Sequence, residues 1–186
     1  GIDVLILESG RCLAPSEKLA DAGVEDGSTV TAKVRGVCIA ATTSAFAQLA
    51  ADGSVQTTGN SRFGGDSSAV QAQLNNVEQI CASEASFAAI RSDGSVVVWG
   101  SGLGVDDFPG VQHLLRNVRQ IQATDDAFAA LCADGSVVAW GNPRAGGCSC
   151  AVQHRCRDVV QIAANRGAFA AIRADGEVVP WGGVKR

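Results

Sequence analysis

Residues 87–100 read FAAIRSDGSVVVWG. The phrase returns at 128–141 (FAALCADGSVVAWG) and 169–182 (FAAIRADGEVVPWG), with a worn copy at 46–59 (FAQLAADGSVQTTG). Its Asp-Gly pairs begin at 52, 93, 134 and 175, a constant step of 41 residues. A fixed period of this size marks a repeat array in which each unit buries its apolar face only against a neighbour. Within a unit, two apolar runs flank Asp-Gly, which predicts a hairpin with a three-residue loop and glycine in the left-handed position of a bulge. Any side chain there would cost about 1–2 kcal/mol, a physical reason for glycine in all four copies.

Working outward, each unit opens with a strand-like phrase: 79–82 (QICA), 120–123 (QIQA) and 161–164 (QIAA). The outgoing run Ser95-Val96-Val97-Val98-Trp99 is apolar on both faces, which predicts a strand between two packed sheets. Trp99, Trp140 and Trp181 are expected to act as packing posts. A Gly-rich loop of variable sequence follows (61–67, 102–108, 143–149), and then a predicted last strand at Val70-Gln71, Val111-Gln112 or Val152-Gln153. An Asn76-Val77, Asn117-Val118 or Asp158-Val159 step leads to the next unit. Four short strands per unit is the content of one propeller blade.

The 186 residues can bury a real core, and the 46% hydrophobic content is ordinary. A net charge of −4 with no basic run argues against gripping nucleic acid. Twenty-two glycines, no methionine and no tyrosine suit short strands and tight turns. No apolar run reaches the roughly 18–20 residues of a membrane span. The chain opens at Gly1 without methionine, which fits a processed protein or a fragment. Seven cysteines cannot all pair with one another. Cys81 falls where other units have Ala or Gln, Cys156 where they have Leu74 and Leu115, and Cys132 replaces Arg91 or Arg173. Small apolar fillers are expected, and a reducing, intracellular compartment is favoured.

The repeated phrase, with its Asp-Gly hairpin and closing Trp-Gly, resembles the RCC1 repeat family over residues 37–186. The resemblance implies an all-β fold: a partial, open β-propeller of about three and a half blades, in units 38–78, 79–119, 120–160 and 161–186. The family's Gly-x-x-His before the second strand is replaced here by Ser83…Ser86, Thr124…Ala127 and Ala164…Ala168. Thr57-Thr58 in the first unit, instead of Val-Trp, points to a differently packed blade. RCC1-type propellers close with seven blades, so an arc of this length leaves open edges that need cover.

Residues 1–36 form a separate head. An apolar run (4–7), the turn Ser9-Gly10, a second short strand (11–13), a helical turn capped by Ser16 and Gly23, and an alternating strand (28–34) are expected in that order. With Leu5, Ile6, Gly10, Leu13, Leu19, Val24, Asp26, Gly27, Val30 and Val34 at matching places, this order resembles the C-terminal half of a ubiquitin-like β-grasp domain. Arg35-Gly36 runs on into the array, so a conjugating free end is not expected.

No catalytic constellation competes with the repeat. Cys148, Cys150, His154 and Cys156 are the candidate metal ligands, but their C-x-C-x3-H-x-C spacing matches no standard site, and a local disulfide or ordinary loop and core thiols are alternatives. Asp106-Asp107, Asp125-Asp126 and Glu84 read as solvated turn residues. Gly100, Gly102 and Gly104 could suggest a phosphate loop, but no following helix is expected and Lys-Ser/Thr is missing. Arg91 and Arg173 are expected to pair with a neighbouring blade. No cofactor is expected.

These readings imply a non-catalytic scaffold whose partners are other protein subunits covering the open edges. The RCC1 resemblance also implies a regulatory alternative, a GTPase exchange factor or a ubiquitin-ligase fragment. Ala-rich short units joined to ubiquitin-like heads resemble a repeat type of unicellular algae. That implies a third alternative, an accessory subunit lying peripherally on a chloroplast photosystem complex.

Overall fold

A computed structural model of the chain describes residues 37–183, together with the backbone of 5–7, 12–13 and 30–32. In the head, β1 (Leu5–Leu7) pairs antiparallel with both β2 (Cys12–Leu13) and β3 (Val30–Ala32). These three strands fall where the sequence predicts them. The expected helical turn capped by Ser16 and Gly23 lies outside the described residues.

The array is four three-stranded antiparallel sheets, each a simple meander. Blade one is β4 (Cys38–Ala41), β5 (Ala45–Leu49) and β6 (Val55–Gly59). Blade two is β7 (Val77–Ala82), β8 (Ser86–Arg91) and β9 (Val96–Gly100). Blade three is β10 (Val118–Ala123), β11 (Ala127–Cys132) and β12 (Val137–Gly141), and blade four is β13 (Val159–Ala164), β14 (Ala168–Arg173) and β15 (Val178–Gly182). The first strands of successive blades lie against one another, so they form the inner row of a partial β-propeller. Blades two to four begin two residues before the repeat boundaries read from the sequence.

Two expectations change. The fourth strand is not formed. Its place is taken by a 3-10 turn at Gln71–Gln73, by the short helices α1 (Leu103–Asp106) and α2 (Phe108–Val111) with a 3-10 turn at Gln112–Leu114, and by a turn around Val152. In blades one and three a glutamine side chain does what another strand would do. Gln71 Nε2 donates to the Val55 carbonyl (3.1 Å), and Gln153 Nε2 donates to the Val137 carbonyl (3.2 Å). The outer strand keeps its ladder to the middle strand, and its free edge is met by one side-chain amide rather than by a further strand. The fourth unit forms a three-stranded sheet like the others, so the array carries four sheets of a partial propeller. The glycine run 100–104 passes into a helix after all, the four-residue α1, which begins within it at Leu103.

The Asp-Gly hairpins form as expected. Gly94 N donates to the Arg91 carbonyl and Arg91 N to the Ser95 carbonyl, with Gly94 at φ 75°. The aspartate adds a local bond: Asp93 accepts from Ser95 N (2.9 Å) and Ser95 Oγ (2.6 Å), and Asp134 accepts the same pair from Ser136. These hydroxyl and backbone donors hold both carboxyls below the ordinary aspartate range. In the unfolded chain the acids return to about 3.9, so the stabilisation is complete above that pH and is lost as pH falls through the lower folded values. The expected melting temperature is therefore level from pH 7 to about 5 and falls below about 4. Asp93→Asn combined with Asp134→Asn flattens that acid limb, as followed by circular dichroism melts between pH 3 and 7.

The core is not one mass but three seams, each between successive blades. Phe87, Phe128 and Phe169 are buried, and each stacks on the tryptophan opposite it in its own blade (Trp99, Trp140, Trp181) with ring centres 5.1, 5.4 and 5.3 Å apart. Against them the preceding blade lays its own apolar face, with Val55, Val96 and Val137 as the corresponding members.

Candidate interaction surface

The seams are stitched by backbone groups at repeating positions. Along one end of the inner row, Thr43 N donates to the Glu84 carbonyl, Glu84 N to Asp125, and Asp125 N to Arg166, at 2.8–3.0 Å. Each step joins equivalent turns of adjacent blades. A second stitch uses the inner strands: Gln79 Nε2 donates to the Ile121 carbonyl (3.2 Å), while Gln120 donates to the Ile162 carbonyl (2.9 Å) and accepts from Ile162 N (3.0 Å). At the opposite end of the inner strands, Val77, Val118 and Val159 donate to the hairpin glycine carbonyls of the preceding blade. That bond requires Asn76, Asn117 and Asp158 to sit at φ 49–53°, a region these two residue types tolerate better than others.

From within the seams, the tryptophans also tie each blade to the preceding connector. Trp99, Trp140 and Trp181 donate from Nε1 to the carbonyls of Gly64 (3.1 Å), Gly104 (2.9 Å) and Gly146 (3.0 Å). The departures from the RCC1 phrase are accommodated locally. Ser83 and Ser86 bond through their buried hydroxyls at 2.7 Å, and Thr124 Oγ1 donates to the Ala145 carbonyl at 3.0 Å.

Among the described residues, the following surfaces are open to partners. The first is a shallow recess of about 330 Å³ where the inner turns of all four blades meet, presenting Glu84, Asp125 and Arg166. The second is an apolar groove of about 870 Å³ between β12 and the connectors, with Val111, Leu114, Val138, Cys148 and Cys150 in its walls. The third comprises the two end blades. Phe46 is 53% exposed, where its three counterparts are buried, and Val178 is 53% exposed, where its three counterparts are buried. Thr58 in place of tryptophan gives blade one the different packing anticipated for it.

The candidate metal ligands do not come together. Cys148 and Cys150 form a disulfide, His154 is exposed, and Cys156 is buried at the position of Leu74 as an apolar anchor of its connector. Among the described residues no group of three or more Cys, His, Asp or Glu converges. Asp106, Asp107, Asp125, Asp126 and Glu84 are solvent-exposed. Arg91 and Arg173 do not reach a neighbouring blade. Arg91 pairs with Asp93 (3.2 Å) and donates to Asn75, and Arg173 pairs with Asp175 (3.1 Å) and Glu177. Each arginine braces its own hairpin, because the turn carboxylate lies only two residues away.

Cys81 is pushed up to about 11 by burial, and Cys156 is also raised by burial. Cys132 and Cys156 are 2% exposed, whereas Cys38 is exposed. Iodoacetamide at pH 8 is expected to label Cys38 ahead of Cys81, Cys132 and Cys156, with Cys148 and Cys150 labelled only after reduction. Peptide mass mapping of the alkylated native protein measures that order.

No helix among the described residues is long and apolar enough to cross a membrane. No family model matches the chain, and no curated protein matches it. Solved structures do. Human WBSCR16 is 18% identical with a TM-score of 0.55, the match covering 91% of this chain and 53% of that one. Prp20p of Saccharomyces cerevisiae, described with its binding to Gsp1p and histones, is 18% identical with a TM-score of 0.57, covering 78% of this chain and 44% of that one. The ectodomain of receptor kinase CR4 from Physcomitrella patens is 15% identical with a TM-score of 0.54, covering 77% and 40%. The chain spans about half the length of these proteins or less. At such identities the likeness is one of fold, and that fold is an RCC1-like β-propeller.

Proposed function

We propose that the chain is a non-catalytic protein-interaction module, serving as a structural accessory subunit of a larger assembly. The observation that carries this reading is the pair of end blades. Phe46 and Val178 are each half-exposed at positions that are buried in every blade with a neighbour on that side. Repeat arrays need polar caps or partners at such ends. The residues shared by all units are packing and turn residues: a phenylalanine, small apolar strand positions and the Asp-Gly turn. The ubiquitin-like reading of the head belongs to the same proposal, as a second attachment point joined to the array.

Purifying the native complex from its source and measuring its composition by mass spectrometry tests this. Stoichiometric recovery of the chain with other subunits is expected. A chain recovered alone, as a monodisperse monomer that unfolds cooperatively, overturns the proposal.

A regulatory role is the second reading, supported by likeness to Prp20p, whose structures are described with Gsp1p and histone binding and with Kap60. Acceleration of nucleotide release from a small GTPase by this chain would favour it over the structural role.

A further inference from the structure

Resting on the interaction-module reading, we infer that the two end blades recognise each other: the exposed face of blade four docks on blade one of a second copy, head to tail. The three internal seams define what such a joint requires. Each seam sets a valine of one blade (Val55, Val96, Val137) in the same core as a phenylalanine of the next (Phe87, Phe128, Phe169). Blade four presents the free valine, Val178, and blade one the free phenylalanine, Phe46, each 53% exposed.

The polar stitches continue in the same register. The turn ladder runs N–H to carbonyl from blade one towards blade four and stops at Arg166. Its next acceptor, one repeat on, corresponds to the carbonyl of Thr43, where the ladder begins. The glutamine stitch behaves alike. Gln79 and Gln120 reach the carbonyls of Ile121 and Ile162, while the third glutamine of the series, Gln161, is exposed. Its counterpart acceptor on blade one is Ile39, itself 67% exposed. Both halves of the seam are therefore carried by one chain.

Blade one also departs from the internal pattern in a way that suits a reversible joint. Gln48 and Gln56, opposite one another, and Thr58, opposite Phe46, are exposed on it, where the other blades have Ala, Val and Trp. Non-obligate interfaces are more polar than protein cores. The docking is heterologous, closing into a two-copy ring if the rotation per blade permits and running on as a longer chain if it does not.

Sedimentation of the 186-residue chain across a concentration series tests the inference. A mass of at least twice the 19.0 kDa chain is expected. Phe46→Asp and Val178→Asp, both at exposed positions and checked for native melting by circular dichroism, are each expected to weaken association by about tenfold or more, as loss of a central interface anchor does. An equimolar mixture of the two variants regains pairing, because each supplies the face that the other lacks. A monomeric wild-type chain overturns the inference. So does loss of association in Val178→Asp with none in Phe46→Asp, which would mean that two blade-four faces pair with each other. A monomer recovered bound to a different subunit overturns only this inference and leaves the interaction-module reading standing, whereas a partnerless monomer removes both.

Discussion

Trp140→Ala is expected to destabilise the chain by about 3–5 kcal/mol, the range for truncating a large buried aromatic. Against a total of about 5–15 kcal/mol for a typical domain, that is enough to unfold a large share of the molecules. The side chain is 1% exposed and stacks on Phe128 with ring centres 5.4 Å apart, and Phe108 of α2 lies 5.8 Å away on a tilted ring. Its Nε1 also satisfies the buried Gly104 carbonyl at 2.9 Å. Truncation therefore opens a cavity in the seam between blades two and three and strands an acceptor there. Trp140→Phe is the milder change. It keeps an aromatic ring beside Phe128 while removing the hydrogen bond and part of the indole's volume, for an expected loss of about 1–3 kcal/mol. Leu103→Ala, at a position 45% exposed, is the control and should change stability by less than about 1 kcal/mol. Urea titrations followed by far-UV circular dichroism measure all three. A loss below about 1 kcal/mol for Trp140→Ala would mean that the seams do not unfold together.

How much of this was legible in the chain depends on the range of each interaction. Phe87, Asp93-Gly94 and Trp99-Gly100 act within one hairpin, and their recurrence at a fixed step made blades and turns readable. Cys156 was readable as a filler because Leu74 and Leu115 stand at the same place in other units. The fourth strand was misread for a physical reason. Val70-Gln71 and Val152-Gln153 carry the apolar–polar alternation of a strand, yet the glutamine amide itself occupies the outer strand's carbonyl, and the backbone is freed to turn. Arg91 was misassigned because a guanidinium two residues from a turn carboxylate closes the nearer pair. The seams themselves have no local signature. Gln79 meets Ile121 across 42 residues, and the only trace in the sequence is a polar residue held at one place (79, 120, 161) in otherwise apolar strands. For the metal candidates, the unusual C-x-C spacing agrees with the outcome, since Cys148 and Cys150 bond to each other and leave no thiol pair for a metal.

Gly141→Ala is the second substitution with a large expected cost, about 3 kcal/mol or more, in line with backbone strain compounded by overpacking. Gly141 ends β12 at φ 102°, where an L-residue is strained whatever space surrounds it. A Cβ there would stand 2.6 Å from the backbone oxygen of Asp126 and 2.9 Å from the Cα of Ala127. Neither neighbour is a side-chain tip that can swing aside. The Asp126 oxygen accepts from Asn142 N at 3.0 Å, so moving it breaks the bond that starts the connector. Ala127 is fully buried in the seam facing blade four, so moving it transmits the displacement into that core. Relief at one place is thus obtained only by loss at another. Gly110→Ala supplies the contrast. That glycine lies in α2 with nothing within 4 Å of an added Cβ, and alanine there should be neutral or stabilising by up to about 1 kcal/mol. The gap between the two midpoints in urea measures whether the closing glycine of each blade is fixed by geometry. If Gly141→Ala matched Gly110→Ala, the tight approach between β12 and the turn before β11 would not govern the packing of the blade.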